Sequence, residues 1–346
     1  MAEGPGIMVN RRTIHHFGPD PEYVGGMGSV IRVFTEHQMG GGSVRSHPTW
    51  RPVAWLGSIP LALRAARHVL VARRHDVIHV HLAEDGSFVR EGAIVLLARL
   101  LGHATVATIH GANFLEFTER HARLAGFVLR RADVITCLDP QVCSLVKALA
   151  PGVQVELLAN PVLMDMDSPS AEETEEVVLF AGEVGFRKGA DILCQAWNLV
   201  AAARPDARCI IVGPDGDFDV PQLDRLERLP ATDTAGMRTL MRAARVVVLP
   251  SRAEGMPMVL TEAMGAGRPF VSTPVGGIPD LAREGGVLVA AGDAAGLARA
   301  LTDFLAVPGL AGAVGERARR FCQETRSIDV IDERLGVLYQ AAIGSS

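Results

Sequence analysis

Two glutamates with seven residues between them, Glu254 and Glu262, enclose Gly255-Met256-Pro257-Met258. Pro257 suits the first position of a helix, where its missing N–H costs nothing, and Gly265, Gly267 and Pro269 stop that helix after two to three turns. The free amides of its first turn, Met258 and Val259 among them, then make an anion site. Glu254, just before the helix, can reach a group near a bound anion. Glu262, one turn inside, can reach a group farther along the same ligand, as hydroxyls of a sugar and a ribose would require. An ordinary loop carboxylate and an ordinary helix carboxylate would show the same spacing.

A second anion site is written into Gly182-Glu183-Val184-Gly185-Phe186-Arg187-Lys188-Gly189, with a helix beginning near Ala190. Arg187 and Lys188 beside helix amides suit a diphosphate. Lys188 is informative because only it and Lys147 are lysine among 34 basic residues; a solvated basic turn is the plain alternative. Earlier in the chain, Gly25-Gly26-Met27-Gly28 opens a helix and can let backbone amides approach a phosphate, although it lacks the full dinucleotide fingerprint. His110-Gly111 ends an apolar run and places an imidazole at a strand's carboxyl edge, as a sugar or acceptor contact or as a structural cap. His79-x-His81 puts two imidazoles on one strand face, but no third ligand has useful spacing, so no metal site is expected. Asp165-x-Asp167 and Asp215-x-Asp217 resemble metal–diphosphate aspartates only superficially, and no serine elbow, Walker loop or Cys/His nucleophile is present.

These loops need a scaffold that presents strand ends to a ligand. Short β-branched or apolar runs predict strands at residues 6–9, 77–80, 105–109, 134–137 and 155–158, alternating with helices at 29–37, 60–75, 88–101, 115–131 and 140–149. A second series follows the acidic stretch 165–176, read as a solvated linker, with strands at 177–181, 208–212, 246–249, 270–272 and 287–289 and helices at 190–203, 234–244, 257–264 and 294–305. Such alternation means parallel sheets with helices on both faces, here two doubly wound domains in tandem. The amphipathic stretch 316–343, with no strand after it, closes the second domain or crosses back onto the first.

Composition agrees. The 346 residues are 48% hydrophobic, enough for a core in each of two domains. Residues 1–164 carry 16 basic against 13 acidic side chains, a net of +3, and the remainder 18 against 26, a net of −8. All eleven histidines lie between His15 and His121, so the halves differ in chemistry. The overall charge of −5 argues against nucleic-acid binding. No run approaches a membrane span, the start lacks a basic, then apolar leader, and the five cysteines include no Cys-x-x-Cys pair, so a reduced cytoplasmic setting is expected. The helix at 60–75 mixes Leu63 and Leu70 with Arg64, Arg67, Arg73 and Arg74, as a solvated face or a peripheral contact with an anionic membrane would.

Together these residues resemble the family 4 glycosyltransferases, retaining enzymes of the GT-B architecture. The similarity covers most of the chain and is strongest over residues 177–301. Its most specific part is Glu254-Gly-Met-Pro-x4-Glu262, like the family's Glu-x7-Glu motif, followed by Gly276-Gly277-Ile278-Pro279-Asp280. By that resemblance Lys188, Glu254 and His110 are the catalytic residues, Lys188 on the diphosphate, Glu254 on the transferred sugar and His110 also on the sugar. Gly26, Arg187, Gly255, Met256, Met258 and Glu262 bind substrate, Glu262 through the nucleotide ribose. Asn160-Pro161 matches the end of the first domain. The resemblance implies two Rossmann-like domains facing a central cleft: an acceptor-side domain, residues 1–164, with helix 325–346 packing back on it, and a donor domain, residues 165–324. It further implies a nucleoside diphosphate sugar as donor, a glycan, lipid-linked molecule or small molecule as acceptor, no bound metal or other cofactor, and a cytoplasmic location that allows association with the inner face of the membrane.

One position departs from the family. Glu183 stands where an arginine commonly follows the glycine at Gly182. Arg187 then substitutes for it, in which case its loss costs as much as loss of Lys188 and Glu183 points away from the phosphates, or donor binding is weakened. Rival readings are a catalytically silent nucleotide-sugar-binding subunit, for which Glu183 argues, and a sugar-nucleotide epimerase of similar architecture.

Overall fold

The short apolar runs become strands of two separate six-stranded sheets in which every neighbouring pair is parallel. The computed structural model describes residues 12–22, 25–51, 59–111 and 113–345. The chain divides into two compact units, Met1–Pro161 with Ile328–Ser346, and Val162–Ser327. Two Rossmann-like domains of GT-B type result, one sheet in each.

The first unit runs β1 (Thr13–Pro19), α1 (Gly26–Glu36), β2 (Ser43–Trp50), α2 (Ile59–Val71), β3 (Val77–Leu82), α3 (Asp85–Leu100), β4 (Ala104–Ile109), α4 (Phe114–Leu129), β5 (Val134–Cys137), α5 (Pro140–Leu149) and β6 (Gln154–Leu157). Its strand order is β2-β1-β3-β4-β5-β6. Asp139 starts α5, accepting from the amides of Gln141 and Val142 at 2.7 and 3.0 Å, with proline just inside the helix. The expected strand at 6–9 lies outside the described residues. Neither β1 nor β2 was expected, because His15, His16, His47 and Pro48 interrupt the apolar pattern that marks a strand.

The second unit runs β7 (Val177–Ala181), α6 (Ala190–Ala203), β8 (Arg208–Val212), β9 (Leu226–Leu229), α7 (Thr234–Ala243), β10 (Val246–Leu249), α8 (Met258–Gly265), β11 (Phe270–Ser272), α9 (Ile278–Gly285), β12 (Gly286–Leu288), α10 (Ala294–Ala306) and α11 (Leu310–Thr325). The order β12-β11-β10-β7-β8-β9 reverses direction between β7 and β10, and a doubly wound sheet opens its ligand crevice at that point. Val-Val-Leu-Phe-Ala of β7 and Val-Val-Val-Leu of β10 are fully buried. Trp197 of α6 is buried against them, and its indole N–H donates to the Asp224 carbonyl at 2.8 Å.

Three expectations are corrected. The stretch 165–176 lies inside the second unit and does not link the two, and although half of its residues are exposed it is anchored: Asp165 is buried and takes two bonds from Arg242, each 2.7 Å, Ser168 accepts from the buried Arg268, and Ala171 joins the core. Paired charge and a well-placed alanine let a polar sequence pack. The helix expected at 316–343 is two helices, α11 and α12 (Ile328–Ser345), broken at Arg326-Ser327; α12 belongs to the first unit. Pro257 caps α8 rather than opening it.

Candidate functional site

The loops that follow β7 and β10 meet where their strands part. Lys188 Nζ donates to Glu254 Oε1 at 2.6 Å, and the Ser251 hydroxyl donates to the same oxygen at 2.6 Å. Glu254 is only 7% exposed, so its charge is held by a cation and a hydroxyl instead of water. Ser251 is itself fixed, since its carbonyl accepts from the Thr273 hydroxyl at the end of β11. Arg252 forks onto Asp191 at the start of α6, 2.8 Å to each oxygen, and its amide donates to the Arg187 carbonyl at 2.8 Å. Neither Ser251 nor Arg252 was singled out in the sequence, because serine and arginine in a loop carry no signal until their partners are known.

Backbone approaches backbone throughout this region. Gly189 has φ +78°, and a Cβ there would lie 2.0 Å from the Pro250 carbonyl oxygen, so only glycine lets the two loops touch. Gly276 has φ +53°, and its added Cβ would lie 2.1 Å from the Glu254 carbonyl oxygen. Next to it the Gly277 amide donates to the Gly255 carbonyl at 2.8 Å, and Met256 packs on Gly277. In α8 the Leu260 amide turns back to the Pro257 carbonyl, leaving Met258 and Val259 as the leading amides, with Glu262 half-buried a turn later. The structure thus brings Lys188, Glu254, Gly255, Met256 and Met258 onto adjoining loops. Arg187 is nearby and nearly half exposed, its Nη2 3.9 Å from Glu183 Oε2. Glu183 therefore shares the guanidinium expected to replace the missing arginine. Three of the four aspartates in the metal-like pairs are engaged as well: Asp165 by Arg242, Asp215 by Arg228 at 2.7 Å, and Asp217 by the Phe186 amide at 2.8 Å, while Asp167 is exposed.

Gly26 and His110 lie in the first unit. An added Cβ at Gly25 or Gly26 meets nothing within 4 Å, so no described neighbour demands glycine there. Gly26 lines a cavity of about 1140 Å³ with Trp50, Leu63, Ala93 and Ile94, and Ser87 and Arg90 are among its few polar groups. Arg90 is committed to Glu91 at 2.8 Å. His110 follows β4, its amide bonded to the Leu82 carbonyl at 2.8 Å, and the Glu84 carboxylate lies against Gly111, where a Cβ would have to push it aside. Asp85, just after Glu84, has φ +54°. This strained turn sets Glu84 beside His110-Gly111, a neighbour that the sequence did not reveal.

Behind His110 the sheet face is polar. His16 is the register partner of His79, His81 that of Thr108, and Thr108 that of Thr136. A 2.8 Å bond joins His110 Nε2 to His81 Nδ1 and another joins His81 Nε2 to His16 Nδ1. His79 bonds Thr108 and, from α12, the Tyr339 hydroxyl, both at 2.7 Å. Contrary to the expectation from spacing, His16 supplies a third imidazole beside His79 and His81, with one nitrogen from each within 4.8 Å of the others. Five of their six ring nitrogens are hydrogen-bonded to side chains, so the cluster as built is a hydrogen-bond network. Burial pushes His16 and His110 down to about 3 and His81 well below the ordinary range, so all three rings are neutral at pH 7.

Over 313 residues, 78% of the chain, the sequence is 31% identical to D-inositol 3-phosphate glycosyltransferase 1 of Catenulispora acidiphila, of which it covers 73%. The chain belongs to the family 4 glycosyltransferases. The model for glycosyl transferases group 1 matches residues 175–306 of this glycosyltransferase. Its match to the D-inositol 3-phosphate glycosyltransferase of Streptomyces coelicolor, 34% identical, spans 42% of the chain but only 36% of that protein's length. Sucrose-phosphate synthase from Thermosynechococcus elongatus has the same fold, with a TM-score of 0.76 and 20% identity over 97% of this chain and 100% of that one. So does Anabaena HepE, solved with UDP and glucose, with a TM-score of 0.70 and 17% identity over 94% and 99%.

Proposed function

We propose that this family 4 glycosyltransferase moves a hexose-type sugar from a nucleoside diphosphate to an acceptor hydroxyl with retention at the anomeric carbon. The observation that carries this reading is Lys188 held 2.6 Å from the buried Glu254 where β7 and β10 part. An ammonium has three N–H donors, so Lys188 can bond phosphate oxygens while it holds Glu254. In the proposed reaction the bond from C1 to the diphosphate oxygen breaks as negative charge grows on that oxygen. Lys188, Arg187 and the Met258 and Val259 amides stabilise it. Glu254 and the Gly255-Met256 backbone hold the sugar, Glu262 the ribose, and His110 a sugar hydroxyl. The acceptor oxygen bonds C1 on the face the diphosphate leaves, and its proton passes to the leaving phosphate oxygen, so no enzyme nucleophile takes part.

The engaged aspartates favour neutralisation of the diphosphate by protein groups. Turnover of a radiolabelled donor panel, UDP-glucose first, should therefore persist in EDTA, and proton NMR should show the donor's anomeric configuration in the product. Turnover abolished by EDTA and restored by manganese, or an inverted product, would overturn this mechanism; nucleotide-sugar binding without transfer would favour the silent-subunit reading.

The apolar cavity bounded by Gly26, Trp50 and Leu63 favours an acceptor whose hydroxyl is carried on an apolar or lipid-linked body, because its arginine is already paired. On α2 the exposed Leu63, Leu70 and Val71 lie among Arg64 and Arg67. Vesicles containing anionic lipid should cosediment the protein and neutral vesicles should not; equal recovery with both would remove the membrane from this proposal. No single described helix is long and apolar enough to cross a membrane.

A further inference from the structure

We propose that His81 and His16 are positioning residues for His110: a head-to-tail row of three imidazoles keeps the His110 proton on Nδ1, so that this residue meets its ligand as a hydrogen-bond donor. This deepens the reading of His110 as a substrate contact and rests on it for its consequence, though not for its geometry.

The row consists of the two 2.8 Å bonds from His110 Nε2 to His81 Nδ1 and from His81 Nε2 to His16 Nδ1. A neutral imidazole donates from one nitrogen and accepts at the other. Two bonds in series therefore point the same way, and only two proton arrangements exist. In one, His16 bears its proton on Nε2, every bond runs from His110 toward His16, and His110 Nδ1 is a bare acceptor. In the other, His16 donates from Nδ1 to His81, His81 donates from Nδ1 to His110, and the His110 proton is on Nδ1.

The far end of the row decides between them. His16 is fully buried and its Nε2 has no partner among the described residues. A proton there would be an orphaned donor shut off from water, whereas a lone pair left without a partner is the better tolerated of the two. The second arrangement wins, and the choice is transmitted through two rings to a residue at the sheet edge. Burial supports it by keeping the rings neutral, since one extra proton would break the head-to-tail order. His110 is then unable to accept the acceptor's proton through Nδ1. It can donate to a sugar hydroxyl oxygen, while the leaving phosphate takes the proton, as the proposed mechanism requires.

Long-range proton–nitrogen correlation spectra of the full chain with 15N-histidine test this directly. Expected are Nδ1–H tautomers for His16, His81 and His110, assigned from single His→Gln variants. An Nε2–H tautomer at His110 in the unaltered protein overturns the proposal. In a second arm, His81→Phe should return His110 to the Nε2–H form and lower kcat/KM about tenfold, the scale on which groups behind a reacting histidine act at metal centres. His81→Asn, whose amide nitrogen can replace Nδ1 as donor, should restore both readouts. Rescue by Phe as complete as by Asn would show a packing role only. The tautomer spectra need no turnover, so failure of the transferase reading and failure of the row are separate results.

Discussion

Lys188→Ala is expected to lower kcat/KM by two to three decades, about 2.7–4 kcal/mol of transition-state stabilisation, as for loss of one preorganised charged donor to a developing anion. The same change strips the buried Glu254 of its cation. Breaking a buried pair destabilises by roughly 3 kcal/mol or more, so the melting temperature of the second unit should fall by about 6–12 °C. Lys188→Ala with Glu254→Gln should recover most of that stability and none of the activity, because the orphaned charge is gone but the diphosphate still lacks its partner. Arg187→Ala should cost only about tenfold, since its guanidinium is nearly half exposed and shared with Glu183 at 3.9 Å. If Lys188→Ala turns over within tenfold of the parent, the diphosphate is held elsewhere and the role given to this loop is wrong.

The second large effect is on stability in acid. Unfolded, each buried imidazole titrates near 6.5; folded, His16, His47 and His110 titrate at about 3, burial being the main cause. Between those values the unfolded chain binds protons that the folded chain refuses. The stability is therefore intact above about pH 6.5 and is lost as the pH falls toward 3. At pH 5 each ring contributes about 2 kcal/mol of destabilisation, about 6 kcal/mol for the three, against a total domain stability of roughly 5–15 kcal/mol. His79 and His81, also far below the ordinary range, act in the same direction. The first unit should unfold near pH 5 with uptake of at least three protons. The second unit has no histidine, and its Arg-paired Asp165, Glu176 and Asp191 lose their contribution only as the pH drops below about 4. Circular dichroism with potentiometric proton counting should resolve two acid transitions, and a first unit still folded at pH 4 would contradict this account.

The second unit was the more legible because its strands are plain: Val177–Ala181 and Val246–Leu249 contain no polar residue, and their spacing sets Lys188 and Glu254 at strand ends. In the first unit β3, β4 and β5 were legible in spite of His79, His81, Thr108 and Thr136, but β1 and β2 stayed hidden, because His15, His16 and His47 read as surface until they are seen bonded to one another and to His81. The pairing of Lys188 with Glu254 was implicit in two motifs, whereas Ser251 behind Glu254 and His81 behind His110 were not. The bond from His81 to His110 spans 29 positions and leaves no local periodicity to read, and Ser251, three residues before Glu254, is one of several polar residues in its loop with nothing in the sequence to set it apart.

The return of α12 to the first unit also fixes an order of assembly. Tyr339 fills the space beside Gly40 and bonds His79, Asp332 accepts from the Gly40 amide, and Arg334 donates to the Leu157 carbonyl at 2.6 Å. None of these contacts exists until residues 328–345 have left the ribosome, whereas residues 162–327 are complete before that. During synthesis the later-encoded unit can finish folding first, while the earlier one waits with a polar sheet face uncovered, a substrate for chaperones until the helix arrives.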